Sequence, residues 1–342
     1  MDRVPPRWIR RIVIAPVVLA ICLALVAVSP GFLLLAALAD LIVPGNWRTL
    51  RMVAFGAFFV FMEAAGLVVL FALWVRFLGR VTTARAQDAH YRLMTFYLKL
   101  MYRGVSLLFG LRINIEQRQT PKPGPILVFS RHAGPGNSLM LIGTMMIAFN
   151  RRPRIVMLAK LQWDPLFDTM FNRLPNRFIS HEKGKSAGYV AAIGDLAKNL
   201  GDQDAFVLFP EGRDFTQRLR VRAIEVLRTK GFDKHAERAE GMMHVLPPRH
   251  RGPLAAITSA PEADVAFVAH SVLEELGSFK ELWARIPLDV PIDARYWRLP
   301  PEEVPRTEDE VIEWLYGWWE QIDGWVNDHK LPELGVPEKV DA

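Results

Sequence analysis

A single cysteine, Cys22, stands in 342 residues. One thiol excludes a disulfide framework and a cysteine-based zinc site within the chain. A reducing compartment is compatible with this but not required by it. Internal repeats and low-complexity stretches are absent. So are a long Lys/Arg run, zinc-finger spacing and an RNA-binding aromatic motif. The net charge of +6 favours anionic partners, but nothing in these motifs supports nucleic acid, so membrane surface and phosphorylated substrates are the classes left. Two stretches lack charge itself. No charged residue occurs in the 28 positions from Ile12 to Ala39, and only Glu63 in the 24 from Met52 to Val75. With 51% hydrophobic residues overall, an intrinsically disordered chain is excluded.

About 20 mostly apolar residues cross a bilayer core, so a purely soluble protein does not fit two such runs. The first follows a basic segment, Arg3, Arg7, Arg10 and Arg11. It exceeds the roughly 7–15 residues of a signal-peptide core and shows no small-residue cleavage site, so it reads as a retained anchor. As a helix it would reach roughly 42 Å against a core of ~30 Å. It must therefore tilt, or break at Ser29-Pro30-Gly31. The short linker Pro44-Gly45-Asn46-Trp47-Arg48 suggests a helical hairpin. Arginines before the first run and Arg76, Arg80 and Arg85 after the second put both ends in the cytoplasm by the positive-inside rule, with Arg48 and Arg51 weakening the contrast. A hairpin that enters and leaves one leaflet satisfies the same pattern. Glu63 either has a function in lipid, or faces its partner helix or snorkels toward the headgroups.

Residues 1–84 thus form a membrane anchor with segments at about 12–39 and 52–75, and residues 85–342 a cytoplasmic domain. Its 258 residues are enough for one α/β unit with its own core. Residues 85–109 read as an interfacial helix joining the two parts. Short apolar runs at 126–130, 155–159, 205–210 and 265–272 are strand-like. Helical patterns at 138–149, 186–200 and 216–230 lie between them. Such alternation implies an α/β sheet covered by helices. Near the C-terminus Val311, Leu315, Trp318, Ile322 and Trp325 recur at helical spacing. They form either a core face or a Trp-rich face toward a membrane.

Two segments carry chemistry. In Ser130-Arg131-His132-Ala133-Gly134-Pro135-Gly136-Asn137-Ser138 a strand runs out into a Gly/Pro turn and a helix begins. His132 is presented at a strand end, where α/β proteins place ligands, and a histidine with one ring nitrogen held is a natural general base. Asn137 or Ser138 is suited to cap the helix. In Phe209-Pro210-Glu211-Gly212-Arg213-Asp214 a second strand runs out at the same sheet end. A cation near a helix N-terminus suits a phosphate.

Together these segments resemble the glycerolipid acyltransferase superfamily, typified by lysophosphatidate (1-acylglycerol-3-phosphate) acyltransferases. Its first block is His-x4-Asp and its third Phe-Pro-Glu-Gly-(Thr/Ser)-Arg, and here Glu211 follows His132 by 79 residues. Lys160-Leu161-Gln162-Trp163-Asp164-Pro165-Leu166-Phe167, continuing to Phe178-Ile179-Ser180, looks like the second block. Val245-Leu246-Pro247-Pro248-Arg249-His250-Arg251-Gly252 is similar to the fourth. The resemblance spans about residues 95–300. It implies a glycerolphosphate-acyltransferase-like mixed sheet covered by helices behind a transmembrane hairpin. It also implies transfer of a fatty acyl group from acyl-CoA, or another acyl thioester, to the hydroxyl of a lysophosphatidate-like acceptor in phospholipid biosynthesis. His132 would be the base. Glu211, Gly212 and Arg213 would bind the acceptor phosphate, with Arg249 and Arg251 as further phosphate candidates. Lys160, Trp163 and Pro165 fall in the acyl and acceptor region. Neither metal nor cofactor is implied, acyl-CoA being a co-substrate. Membrane lipids are the expected partners, and the site belongs on the cytoplasmic side of a bacterial inner membrane or its equivalent.

Three positions depart from the blocks. The family's aspartate is Asn137, which can fix an imidazole tautomer but cannot stabilise imidazolium by charge. The corresponding Asp→Asn change in serine proteases costs about 10⁴ in turnover. Asp164, Asp168 and Asp214 are the alternative carboxylates, and spacing does not say which reaches His132. Arg213 is displaced by one position in its block. Ser180-His181 stands where an acidic residue and arginine are common, with Lys183 or Arg177 as substitutes. Two readings follow: an active acyltransferase, or a catalytically impaired relative that binds lipid or acyl-CoA.

Overall fold

The computed structural model describes residues 4–43, 45–116, 122–179, 186–271, 279–288 and 291–329. Arg7–Ile9 (α1), a π turn at Arg10–Ile14 and Ala15–Ile42 (α2) run on as one helix. No break occurs at Ser29-Pro30-Gly31. Pro30 lacks the N–H that would bond Val26, and the Ser29 hydroxyl donates to that carbonyl instead at 2.8 Å. Asn46 and Trp47 turn the chain with left-handed backbone. The Asp40 carboxylate then accepts from the Thr49 and Leu50 N–H groups, closing the start of α3 (Arg48–Arg76).

The helices Arg7–Ile42 and Arg48–Arg76 are long and apolar enough to cross a membrane by length and composition. Their surroundings differ. α2 buries only Cys22 and Ala36. α3 buries Met62, Glu63, Ala64, Gly66, Leu67 and Leu70. It approaches α6 (Pro165–Phe171) so closely that a Cβ on Gly66 would lie 2.6 Å from Leu166 Cδ1. Glu63 faces the Leu166 backbone N–H at this contact. Arginines tie α3 to the rest of the molecule near both ends. Arg48 donates to the Ile286 carbonyl (2.8 Å), Arg51 to Leu108 (2.7 Å), and Arg173 to Leu70 (2.7 Å). From Arg48 to Leu70 is roughly 33 Å of helix.

α4 (Ala84–Phe109), capped by the Thr83 hydroxyl, buries one face through Ala86, His90, Tyr91, Met94 and Leu98. The sheet beyond it has the order β1-β7-β6-β2-β5-β3-β4. These strands are β1 (Ile113–Ile115), β2 (Ile126–Ser130), β3 (Arg152–Leu158), β4 (Arg177–Ile179), β5 (Asp204–Leu208), β6 (Asp264–His270) and β7 (Ile292–Leu299). Only the β6–β7 pairing is antiparallel, so the sheet is mixed, as expected. β1, β4 and β7 have no counterpart in the apolar-run reading. β1 and β4 have three residues each, and β7, Ile-Asp-Ala-Arg-Tyr-Trp-Arg-Leu, alternates charge with bulk.

One sheet face packs Leu67, Leu70, Met94, Met145, Leu166 and Phe171 against the inner side chains of β2, β3 and β5. The other carries Ile193, Ile224, Ile257, Leu315, Trp319 and Ile322. The C-terminal aromatic helix, Glu308–Asp328, is thus a core helix. Val311, Leu315, Trp319, Ile322 and Trp325 are buried, and Trp318 stacks on Phe267 of β6.

Candidate functional site

β2 and β5 are parallel neighbours, with Phe129 opposite Leu208. Their C-terminal ends therefore release His132 and Phe209-Pro210-Glu211 side by side. The segment after β5 holds His132 through backbone and ring alike. Glu211 Oε1 accepts the His132 N–H at 3.2 Å, and the His132 carbonyl accepts Phe215 N–H at 2.7 Å. The imidazole stacks on Phe209 with centroids 4.4 Å apart.

His132 Nδ1 lies 3.0 Å from Asp214 Oδ1. The half-exposed Asp214 carboxyl is held below its ordinary value. The His132 contact is the main cause, helped by a Gly134 N–H and the charge of Lys160. Of the three carboxylates open to this role, the other two are otherwise engaged. Asp164 accepts the Phe167 N–H as the N-cap of α6 (2.8 Å). The fully buried Asp168 pairs with Arg10 and Arg11 at 2.9 Å each, fastening the start of the long N-terminal helix to α6.

Asn137 does not cap a helix. α5 (Pro135–Ala148) begins earlier, with Pro at its first position, because Gly134 at φ +133° makes the junction and Pro fits the first turn. The fully buried Asn137 amide donates back to the Arg131 carbonyl at 2.8 Å, and its oxygen has no hydrogen-bond partner among the described residues.

Glu211 is buried, and its second oxygen accepts the Leu246 N–H at 3.3 Å. Burial pushes this carboxyl up to about 8, against the pull of Arg131 and the two backbone donors. It faces inward and clamps two loops, so direct contact with a phosphate falls to its neighbours. Gly212 turns at φ +72°, and a Cβ there would lie 3.3 Å from Arg249 Nη1. Arg249 N–H donates to the Pro210 carbonyl at 2.9 Å, which brings the fourth block onto the third. Arg213 is exposed. Surrounding protein, then the like charge of Arg213, lowers the Arg249 guanidinium from its ordinary value. Two guanidinium groups thus share this corner.

The remaining candidates scatter. Lys160 is exposed and acts on Asp214 electrostatically. Trp163 is exposed, and Pro165 is buried at the start of α6. Arg251 opens the helix Arg251–Ser259 and lines a groove with Val190, Gly194 and Lys198 of the α7 side (α7, Ser186–Ala197). Arg177 is exposed at the start of β4. Ser180, His181 and Lys183 lie outside the described residues. An apolar pocket also opens between α5 and the sheet, lined by Val128, Leu141, Met145, Ala266 and Val268.

Residues 112–250 match the family model described as Acyltransferase. This stretch contains His132, Glu211, Arg213 and Arg249, and the match agrees with the resemblance to the glycerolipid acyltransferase superfamily. Among solved structures, the chain is similar to the 1-acyl-sn-glycerophosphate (LPA) acyltransferase PlsC from Thermotoga maritima. The identity is 12% and the TM-score 0.43, with 79% of this chain and 99% of that one covered. No curated protein matches significantly.

Proposed function

We propose that this protein is a membrane-bound O-acyltransferase. It moves a fatty acyl group from acyl-CoA or another acyl thioester to the hydroxyl of a lysophosphatidate-like glycerophospholipid. The observation that carries this reading is the one end of the sheet shared by His132 and the Arg213–Arg249 corner, inside the family-matched stretch. One ring nitrogen of His132 is engaged, which leaves Nε2 as the basic atom. In the proposed step Nε2 takes the acceptor hydroxyl proton while that oxygen bonds to the thioester carbonyl carbon. The carbon–sulfur bond then breaks, and the thiolate leaves with the proton returned from the imidazolium. Arg213 and Arg249 hold the acceptor phosphate as charge-assisted donors. The pocket between α5 and the sheet supplies apolar room for a chain.

In this reading the N-terminal helices, residues 1–84, anchor residues 85–342 to the membrane. The arginine ties of α3 near both ends favour a pair lying along the domain in one leaflet over a span standing clear of it. α2 presents its apolar surface to lipid, and the site faces the cytoplasm.

The test is CoA release from palmitoyl-CoA by the purified full-length chain, with and without lysophosphatidate. Acceptor-dependent release that disappears in His132→Ala is expected. Equal release from His132→Ala would remove the histidine from the mechanism. Asn137 favours a second reading, an impaired relative that binds acyl-CoA or lipid. Saturable binding with no turnover across several acceptors is its signature.

A further inference from the structure

We infer that Asp214, from the loop after β5, is the positioning carboxylate of His132, and that Asn137 has become a brace for the loop after β2. The inference rests on the proposed role of His132 as base and adds the residue that supports it. Asp214 faces Nδ1 at 3.0 Å, so the Nδ1–H tautomer is favoured and Nε2 points to chemistry. The Gly134 N–H, in the turn that carries the histidine, adds to the pull on the same carboxylate. Asn137 spends its donor on the Arg131 carbonyl. An aspartate there would set a carboxylate oxygen against that carbonyl with no donor between them. The loss of charge at position 137 is therefore offset from the facing loop, and the site keeps a negative charge for the imidazolium that forms when His132 takes a proton.

The titratable and charged groups around the imidazole are Asp214, Glu211 beneath the backbone, Lys160 acting on Asp214, Arg131 beside it, and His270, kept neutral by burial at the end of β6. The experiment uses the full-length chain and compares wild type with Asp214→Asn, Asp214→Glu, Asn137→Asp and the double variant Asn137→Asp/Asp214→Asn. Two quantities are read: kcat for acceptor-dependent CoA release, and the NMR signal of the His132 Nδ1–H proton, assigned through His132→Ala.

Asp214→Asn is expected to lower kcat by about 10²–10⁴-fold with little change in the KM for acyl-CoA. It should also move the His132 Nδ1–H signal upfield as the charged acceptor is lost. Asp214→Glu should recover much of both. Asn137→Asp should not raise kcat, and the double variant should stay as impaired as Asp214→Asn. An unchanged Nδ1–H signal in Asp214→Asn overturns the inference, as does a gain in kcat from Asn137→Asp. The signal is read without turnover. If no thioester and acceptor pair reacts, the acyltransferase reading fails, while the signal still decides the part played by Asp214.

Discussion

The loop after β2 and the loop after β5 leave neighbouring parallel strands and face each other, yet they are built differently. The first is short on side-chain anchors. It presents His132, turns at Gly134, and bonds back on itself through Asn137 and Arg131. The second supplies almost everything the first leans on: a ring to stack on, a carboxylate under the backbone, a carboxylate beside the imidazole, and a backbone N–H for the His132 carbonyl. An imidazole and the carboxylate beside it therefore need not share a loop. When two strand ends lie side by side, one loop can bring a carboxylate to a ring that the other carries.

The largest effect that would sharpen this contrast comes from the clamp. Glu211→Ala leaves the N–H groups of His132 and Leu246 buried without a partner, at about 1–3 kcal/mol each. Thermal unfolding in detergent should show a clear fall in midpoint, with activity lost alongside. A wild-type midpoint would mean that the β5 loop does not hold the β2 loop.

Next come the cations. Arg249→Ala and Arg213→Ala each remove charge-assisted bonds worth about 1.5–3 kcal/mol. The KM for lysophosphatidate should rise at least about tenfold, and that for a phosphate-free monoacylglycerol should hardly move. Equal changes for both acceptors would place the phosphate elsewhere.

Gly212→Ala should cost about 1–2 kcal/mol for left-handed backbone, and it also presses on Arg249. A melting midpoint and the acceptor KM measured together would read both effects.

The smallest and sharpest effects are those of pH, because the two carboxyls of the β5 loop have opposite signs. Glu211 is raised from 4.5 to about 8 by burial. Its contribution is full below the unfolded value and is lost as pH rises through about 8. The stability of wild type relative to Glu211→Gln should fall from pH 5 to pH 9. Asp214 is lowered from 3.8 by its His132 contact. Its contribution is present above that value and is lost as pH falls through the lower folded one. The advantage of wild type over Asp214→Asn should therefore shrink only in acid. Parallel trends for the two pairs would break the distinction.

Much of this arrangement was legible in the residue order. The apolar runs at 126–130 and 205–210 are β2 and β5 to within two residues, because alternating strands and helices leave a strong periodic signal. Thr216 was expected at the start of a helix and caps α8 (Gln217–Thr229). The strands β1, β4 and β7 were not legible, since three residues, or a run broken by charge, carry little signal outside their pairing.

The sequence alone determined the apolar N-terminal pair, the α/β alternation, the four blocks and the absence of an aspartate at position 137, since each is local in the chain. Tertiary structure decided which helix of the pair lies against the domain, that Glu211 turns inward, and which of Asp164, Asp168 and Asp214 reaches the imidazole. Those depend on which strand ends lie side by side and which carboxylates are already engaged by a helix cap or by arginines from the far N-terminus. Such distances in space have no counterpart in spacing along the chain.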